Sequence, residues 1–362
     1  MTASPYSVII IGGGIVGLCV GLRALDLGLS ATIVAKDDVT ATTSAMSAGM
    51  VAPALEAMTE ADPTLSFARY ATAQKSWTAF ADGIGLTAVL EMAQPGVWLW
   101  QPGPSAEDML KRFTDMGARP KLMTEPALGA IGYDAPFQGI ELSGDWVISP
   151  EPVLGYLKYL FLERGGQWRD ANVLKVAAHE VVLAGEERLS AGHVVVCAGY
   201  GSARFGAEVP SLSALTPIKG HLLDMTRKSD PVLAGRMVRS PWGYFVFYDG
   251  LSKFGATMQS GRGDVDIEDS AVASLKDKSL KFTSGLMPAV DDAAVARVGV
   301  RAASPDHWPL IGQDAASGVW VATAMRRNGW IYGPYAAEVI IAGMTGVILP
   351  DDAGVYDPNR FG

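Results

Sequence analysis

The turn Gly12-Gly13-Gly14-Ile15-Val16-Gly17 lies between an apolar run, Ser7-Val8-Ile9-Ile10-Ile11, and a helix-like stretch from Leu18 to Leu27. A buried strand, a turn that needs an unhindered backbone, and a helix whose N-terminal amides face a pyrophosphate are the three parts of a dinucleotide-binding βαβ unit. Gly12 allows the tight turn, Gly14 lets a phosphate approach the backbone, and Gly17 lets helix and strand pack closely. A lone GxGxxG is weak evidence. Here the strand is β-branched, the motif opens a helix, and a second strand, Ala31 to Ala35, follows at βαβ distance, which favours a nucleotide over a merely structural glycine turn.

The turn does not say which dinucleotide. In the usual pattern an acidic residue ends the second strand and holds a ribose hydroxyl. That position is Ala35, followed by Lys36, Asp37 and Asp38. Lys36 would suit the 2′-phosphate of NADP, but the two aspartates beside it would repel one. A solvated charged turn with a backbone contact to the ribose accounts for the same residues.

With 362 residues the chain exceeds one compact core, so two domains are expected. Apolar content of 49% and charged content of 19% fit a folded soluble enzyme, and the net charge of −9 argues against nucleic acid or anionic membrane as the main partner. No run reaches the roughly 18 apolar residues of a membrane span, and the N-terminal apolar stretch lacks the basic start of a signal peptide. Cys19 and Cys197 lie in apolar surroundings, as reduced core residues of a cytoplasmic protein would. Four scattered histidines without HxH or HExxH spacing give no reason to expect a metal.

Further along, apolar spacing predicts helices over Phe67 to Ala81, Pro152 to Arg164 and Tyr335 to Met344. Strands are predicted over Gly96 to Trp100, Asn172 to Ala177, Glu180 to Leu183, Val194 to Gly199, Arg297 to Arg301 and Val319 to Thr323. Strand-like runs at His221 to Met225, Tyr244 to Tyr248 and Lys253 to Met258 suggest an antiparallel sheet in a second domain.

Several separated segments together resemble the FAD-dependent D-amino-acid oxidase superfamily, most of all glycine oxidase and its relatives. They are the glycine turn, Thr42-Thr43-Ser44 through Ser47 to Pro53, Val194 to Ser202 (VVVCAGYGS), Arg301 to Gly312, and Arg326-Arg327-Asn328-Gly329. The ending Asp357-Pro358-Asn359-Arg360-Phe361 is also similar to the family's tail. The resemblance implies an α/β fold: a Rossmann-type, glutathione-reductase-like FAD-binding domain from 1–88, 143–213 and 300–362, and an antiparallel-sheet substrate domain from 89–142 and 214–299.

It also implies non-covalent FAD and a set of contacts. Gly12, Gly14, Ile15 and Gly17 would present amides to the pyrophosphate, with Thr43 and Ser44 adding hydroxyls and Lys36 near the ribose. Ala48, Gly49 and Met50 would run beside the isoalloxazine, Val173 would meet the adenine, and Ala198 and Gly199 would lie along the nucleotide. Arg326, Arg327, Asn328, Gly329, Trp330 and Ile331 would cover the pyrimidine side of the ring, where positive potential stabilises its reduced form.

For the reaction the resemblance implies oxidation of a small amino acid or amine, with the carboxylate as the handle for orientation. Arg301 is then the expected carboxylate clamp, Tyr244 the hydroxyl donor beside it, and Arg327 the second substrate-side arginine. Set against these roles are an ordinary interface salt bridge for Arg301 and core packing for Tyr244, with Tyr248 as a rival on the same strand face. His221 is either a polar group beside flavin or substrate, or a buried histidine satisfied by backbone; His307 and Trp308 are expected in a loop over the flavin. The relatives carry Pro after the arginine and aliphatics after Asn-Gly, whereas this chain has Ala302 and Trp330-Ile331-Tyr332-Gly333-Pro334-Tyr335. Those aromatics would shrink the pocket, form an aromatic wall, or simply pack at a helix start. The electron acceptor is oxygen, or in a rival reading a quinone or protein partner of a dehydrogenase for proline-like, N-methyl or D-amino acids. A flavin-binding subunit without its own chemistry is a third reading, and a homo-oligomer is compatible with the chain.

Overall fold

The run Ser7–Ile11 forms the middle of a six-stranded sheet because its β-branched side chains fit a surface buried on both faces. A computed structural model describes residues 7–91, 93–101, 103–226, 230–283, 290–291 and 293–361. In that sheet Ser7–Ile11 pairs in parallel with Ser30–Ala35 on one side and His193–Val196 on the other, with Ile9 opposite Thr32 and Val194. Gln167–Asp170 and Trp320–Thr323 extend the parallel array, and Leu310–Gln313 closes one edge antiparallel.

The helix after the glycine turn, Ile15–Asp26, begins three residues earlier than its periodicity suggests. Nine of its residues are buried, since it lies between the sheet and two other helices, Pro150–Glu163 and Gly329–Thr345. Gly21 is needed there: a Cβ would sit 2.8 Å from the ring of Phe161.

The helix expected from Tyr335 starts at Gly329, so the aromatic run forms its first turns. Pro334 lies inside it and cannot donate to the carbonyl of Trp330 four residues back. Trp77 Nε1 fills that acceptor instead, at 2.6 Å, from the long helix Pro63–Gly83. A tolerated proline and a tertiary hydrogen bond thus fix the two helices to each other.

The second sheet takes its strands from Gly96–Leu142 and Thr216–Ala303. It is antiparallel except where Met237–Ser240 runs parallel to Gly96–Trp100. The predicted strand over Lys253 to Met258 is Leu251–Gly255, and the chain turns away after it. Its longest strand, Thr216–Thr226, pairs with Val295–Ala303 over nine positions, which places Ile218 opposite Arg301 and Gly220 opposite Gly299. Among the described residues no helix is long and apolar enough to cross a membrane.

Candidate functional site

A cavity of about 500 Å³ opens between the two sheets, within the range of small-molecule and cofactor sites. Its floor is the glycine turn, where a Cβ would meet backbone at Gly12 and Gly17 and the Ser44 side chain at Gly14. At Gly12, with φ +115°, a Cβ would lie 2.6 Å from the Cys197 carbonyl oxygen; at Gly17 it would lie 2.0 Å from the Gly12 carbonyl; at Gly14, 2.9 Å from Ser44 Oγ. Gly14 is also the N-cap of the helix and supplies no side-chain cap, so the positive end of the helix is left to a ligand. The Ile15 amide is engaged by a side chain, donating to Ser44 Oγ at 3.2 Å.

The cavity brings together most of the residues expected at the cofactor: Gly12, Gly14, Ile15, Lys36, Thr43, Ser44, Val173, Ala198, Gly199, Arg326, Arg327, Gly329 and Trp330 all line it. Gly17 stands behind the turn. Lys36 is exposed and pairs with Asp37 at 3.6 Å, while Ala35 packs against Gly13.

Ala48, Gly49 and Met50, expected beside the ring, lie outside this wall, which is formed there by Met46 and Ser47. The Ala48 carbonyl accepts from Tyr248 Oη at 2.8 Å, Gly49 turns at φ +54° against Ile148, and Met50 pairs with Val147. Tyr248 thereby ties this loop to the second sheet. Asn328 and Ile331 are likewise buried at the start of the last helix, away from the cavity wall.

Of the aromatic run, Trp330 alone faces the cavity. Its Nε1 donates to Ser47 Oγ at 2.8 Å and its ring stacks on Trp77 at 6.4 Å. Tyr332 and Tyr335 turn the other way and gather around Tyr356, which rules them out as a substrate wall. His307 and Trp308 also stay off the cavity: the loop is held by Arg360 on Asp306 at 2.9 Å, and Trp308 packs between Arg69 and Tyr70.

Arg301 lines the cavity and has no ion pair among the described residues. Its Nη1 donates to the Thr257 carbonyl at 3.3 Å, and the guanidinium lies against Gly220, where a Cβ would overlap it. Burial pushes its pKa down and the Tyr244 and Glu56 fields only partly offset this, so the charge lacks a counter-ion. Tyr244 is buried behind the wall; burial raises its hydroxyl to about 12, with Arg301 the strongest charge acting on it.

Arg327 lines the cavity as well. Its guanidinium is engaged by Glu56 through Nε and by Glu60 at 2.7 Å, with Thr59 accepting a further bond at 2.7 Å. Arg239 binds the other oxygen of Glu56 at 2.6 Å, and Arg326 binds Glu60 at 2.8 Å. Burial alone would raise the Glu56 carboxyl, but Arg239 and then Arg327 hold it below the usual range. Sequence reasoning missed Glu56, Glu60 and Arg239; a lone acid inside the apolar Pro53-Ala54-Leu55-Glu56-Ala57 was the available signal. His221 has both ring nitrogens occupied, Nε2 accepting from the Glu268 amide at 3.2 Å and Nδ1 facing Thr257 Oγ1 at 3.2 Å, so it is a satisfied buried histidine.

A glycine turn under a parallel sheet, with a second sheet covering the far end of the cleft, defines a dinucleotide-dependent enzyme. The chain belongs to the DAO family of FAD dependent oxidoreductases, whose sequence profile matches residues 7–342, and its cofactor is FAD. The fold is similar to that of glycine oxidase from Geobacillus kaustophilus, with a TM-score of 0.81 at 21% identity over 98% of each chain. It is also similar to that of iminodiacetate oxidase from Chelativorans, with a TM-score of 0.78 at 18% identity over 97% of this chain and 98% of that one. In sequence, D-proline dehydrogenase from Pyrobaculum islandicum is 30% identical over 161 residues, a match that takes in 44% of this chain and 39% of that protein.

Proposed function

We propose that the protein oxidises the C–N bond of a small amino acid or amine that carries a carboxylate, with Arg301 holding that carboxylate. The observation that carries this reading is a partly buried guanidinium on the cavity wall that no acid of the described chain neutralises. A desolvated arginine calls for an anion, and its planar fork suits a carboxylate bound through two oxygens. Tyr244, kept protonated by burial, is the neutral hydroxyl on the Arg301 side of the wall.

Held by the glycine turn and the lining around Ser44 and Gly199, FAD would supply a hydride acceptor for the carbon next to nitrogen; the chain's part is orientation, exclusion of water and charge. No side chain has to act as a strong base if the amine reaches the site neutral. The imine formed is hydrolysed by water to an oxo acid and ammonia or an amine, and oxygen takes the two electrons as hydrogen peroxide. Non-covalent attachment fits the lining of the cavity, where Cys197 is the one thiol and burial raises its pKa far above the range of a reactive thiolate.

The test is anaerobic mixing of the holoenzyme with a panel of glycine, N-methylglycine, the alanine and proline enantiomers and simple amines without a carboxylate. Bleaching of the oxidised flavin by carboxylate-bearing amines alone is expected, with peroxide formed once oxygen is admitted. Reoxidation by a quinone but not by oxygen would make the protein a dehydrogenase. Bleaching by amines irrespective of the carboxylate would remove the proposed role of Arg301.

A further inference from the structure

Between the strand Gln259–Ser260 and the helix Asp269–Ser279 the chain runs from residue 261 to 268 without helix or strand. A segment this short, with charges at Arg262, Asp264, Asp266 and Glu268, would ordinarily be a solvated loop. Here it is fastened to the sheet beneath it. Lys219, fully buried in the strand Thr216–Thr226, donates to Asp264 and, at 2.8 Å, to Glu268. Arg262 closes on the same two carboxylates at 2.9 and 3.2 Å. Gln259 Nε2 donates to the second oxygen of Glu268 at 2.8 Å, and the Glu268 amide donates to His221.

A buried ammonium must be neutralised, and among the described residues the ion pairs of Lys219 are these two acids. The lysine therefore dictates where the segment lies. What it holds in place is a piece of the cavity wall: Gly263 and Val265 line the same cavity as the glycine turn. Gly263 passes so close to Tyr200, on the turn after the strand His193–Val196, that a Cβ would be 3.0 Å from the ring. Val265 is 66% exposed, so it has apolar surface left to bury against an occupant of the cavity.

We propose that residues 261–268 form a strap through which the second sheet clamps the FAD held by the parallel sheet, with Lys219 as the positioning residue that sets Gly263 and Val265 against the cofactor. The inference rests on FAD as the cofactor and is independent of the substrate. The strap adds a binding determinant far in sequence from the glycine turn and from the lining residues Arg326, Arg327, Gly329 and Trp330.

FAD release from the holoenzyme, followed by the fluorescence of free FAD on dilution, tests it together with backbone amide exchange with and without FAD. Lys219→Met is expected to release FAD at least about tenfold faster, because the strap loses its anchor. Val265→Ser, at a largely exposed position, is expected to leave the melting temperature of the FAD-free protein within about 2 °C and still to speed release about threefold. If Lys219→Met does not fold, Val265→Ser decides. Amides 262–266 are expected to exchange more slowly when FAD is bound. Wild-type release rates in the folded variants, or equal exchange with and without FAD, would overturn the proposal.

Discussion

Glu56 and Arg327 form a contact ion pair inside the protein, the carboxylate 1% and the guanidinium 14% exposed. Arg239 takes the other oxygen of Glu56, and Glu60 pairs with Arg327 and Arg326, so two acids are shared among three arginines. Removing one member of such a network leaves buried charge uncompensated, which costs about 3–5 kcal/mol. Glu56→Gln is therefore expected to lose about 3 kcal/mol in denaturant unfolding. It should also leave Arg327 only partly neutralised, by Glu60, and raise kcat/KM for substrates with a second carboxylate relative to those with one. An unchanged ratio between iminodiacetate and N-methylglycine would show that Arg327 does not take part in charge selection.

Arg301→Ala removes a cavity arginine that has no ion pair among the described residues. A charged hydrogen bond contributes about 1.5–3 kcal/mol, so kcat/KM for an amino acid should fall roughly 10- to 150-fold. The flavin spectrum should stay that of the wild type, since the glycine turn is untouched. Adding guanidinium ion is expected to restore part of the lost rate, an outcome a merely structural arginine would not give.

The part of the fold nearest the nucleotide could be read from the chain because its constraints are local. Gly12, Gly14 and Gly17 are legible from their spacing between a strand and a helix, and the strand Ser7–Ile11 from its β-branched run. The start of the last helix was misjudged because Pro334 and the aromatics break the helical pattern, and Trp77, more than 250 residues away, supplies the bond that rescues it. Arg301 was visible, but its isolation from acids was not. Glu56 escaped notice because its partners, Arg239 and Arg327, come from a strand and a loop remote in sequence, and only the fold brings three charges to one point. The acids that engage Arg327 were hidden for the same reason.

His221 should leave a signature in the acid range. Burial, and after it the Lys219 charge, lowers its pKa below 6.5, so the unfolded chain takes up the proton first as pH falls. Its contribution is thus complete above about pH 6.5 and is lost progressively below that value, down through the lower folded pKa. His221→Gln keeps an acceptor for the Glu268 amide but does not titrate. The difference in unfolding free energy between neutral and mildly acid pH should be smaller in this variant than in the wild type; equal differences would mean that His221 is not responsible.

Trp330 joins the last helix to the loop that walls the cavity, through Nε1 to Ser47 Oγ at 2.8 Å. Its stacking on Trp77 does not depend on that nitrogen. Trp330→Phe therefore separates the two contacts: the ring remains, and the donor to Ser47 is lost. A net cost of about 0.5–1.5 kcal/mol is expected in unfolding, typical of one hydrogen bond. Because Ser47 stands on the cavity wall, the released hydroxyl should also alter the flavin absorption spectrum and raise KM. Trp330→Leu, which loses the stacking as well, should be less stable than Trp330→Phe by a further margin of about 1 kcal/mol. A phenylalanine variant with wild-type spectrum and KM would reduce the Trp330 to Ser47 bond to a packing detail.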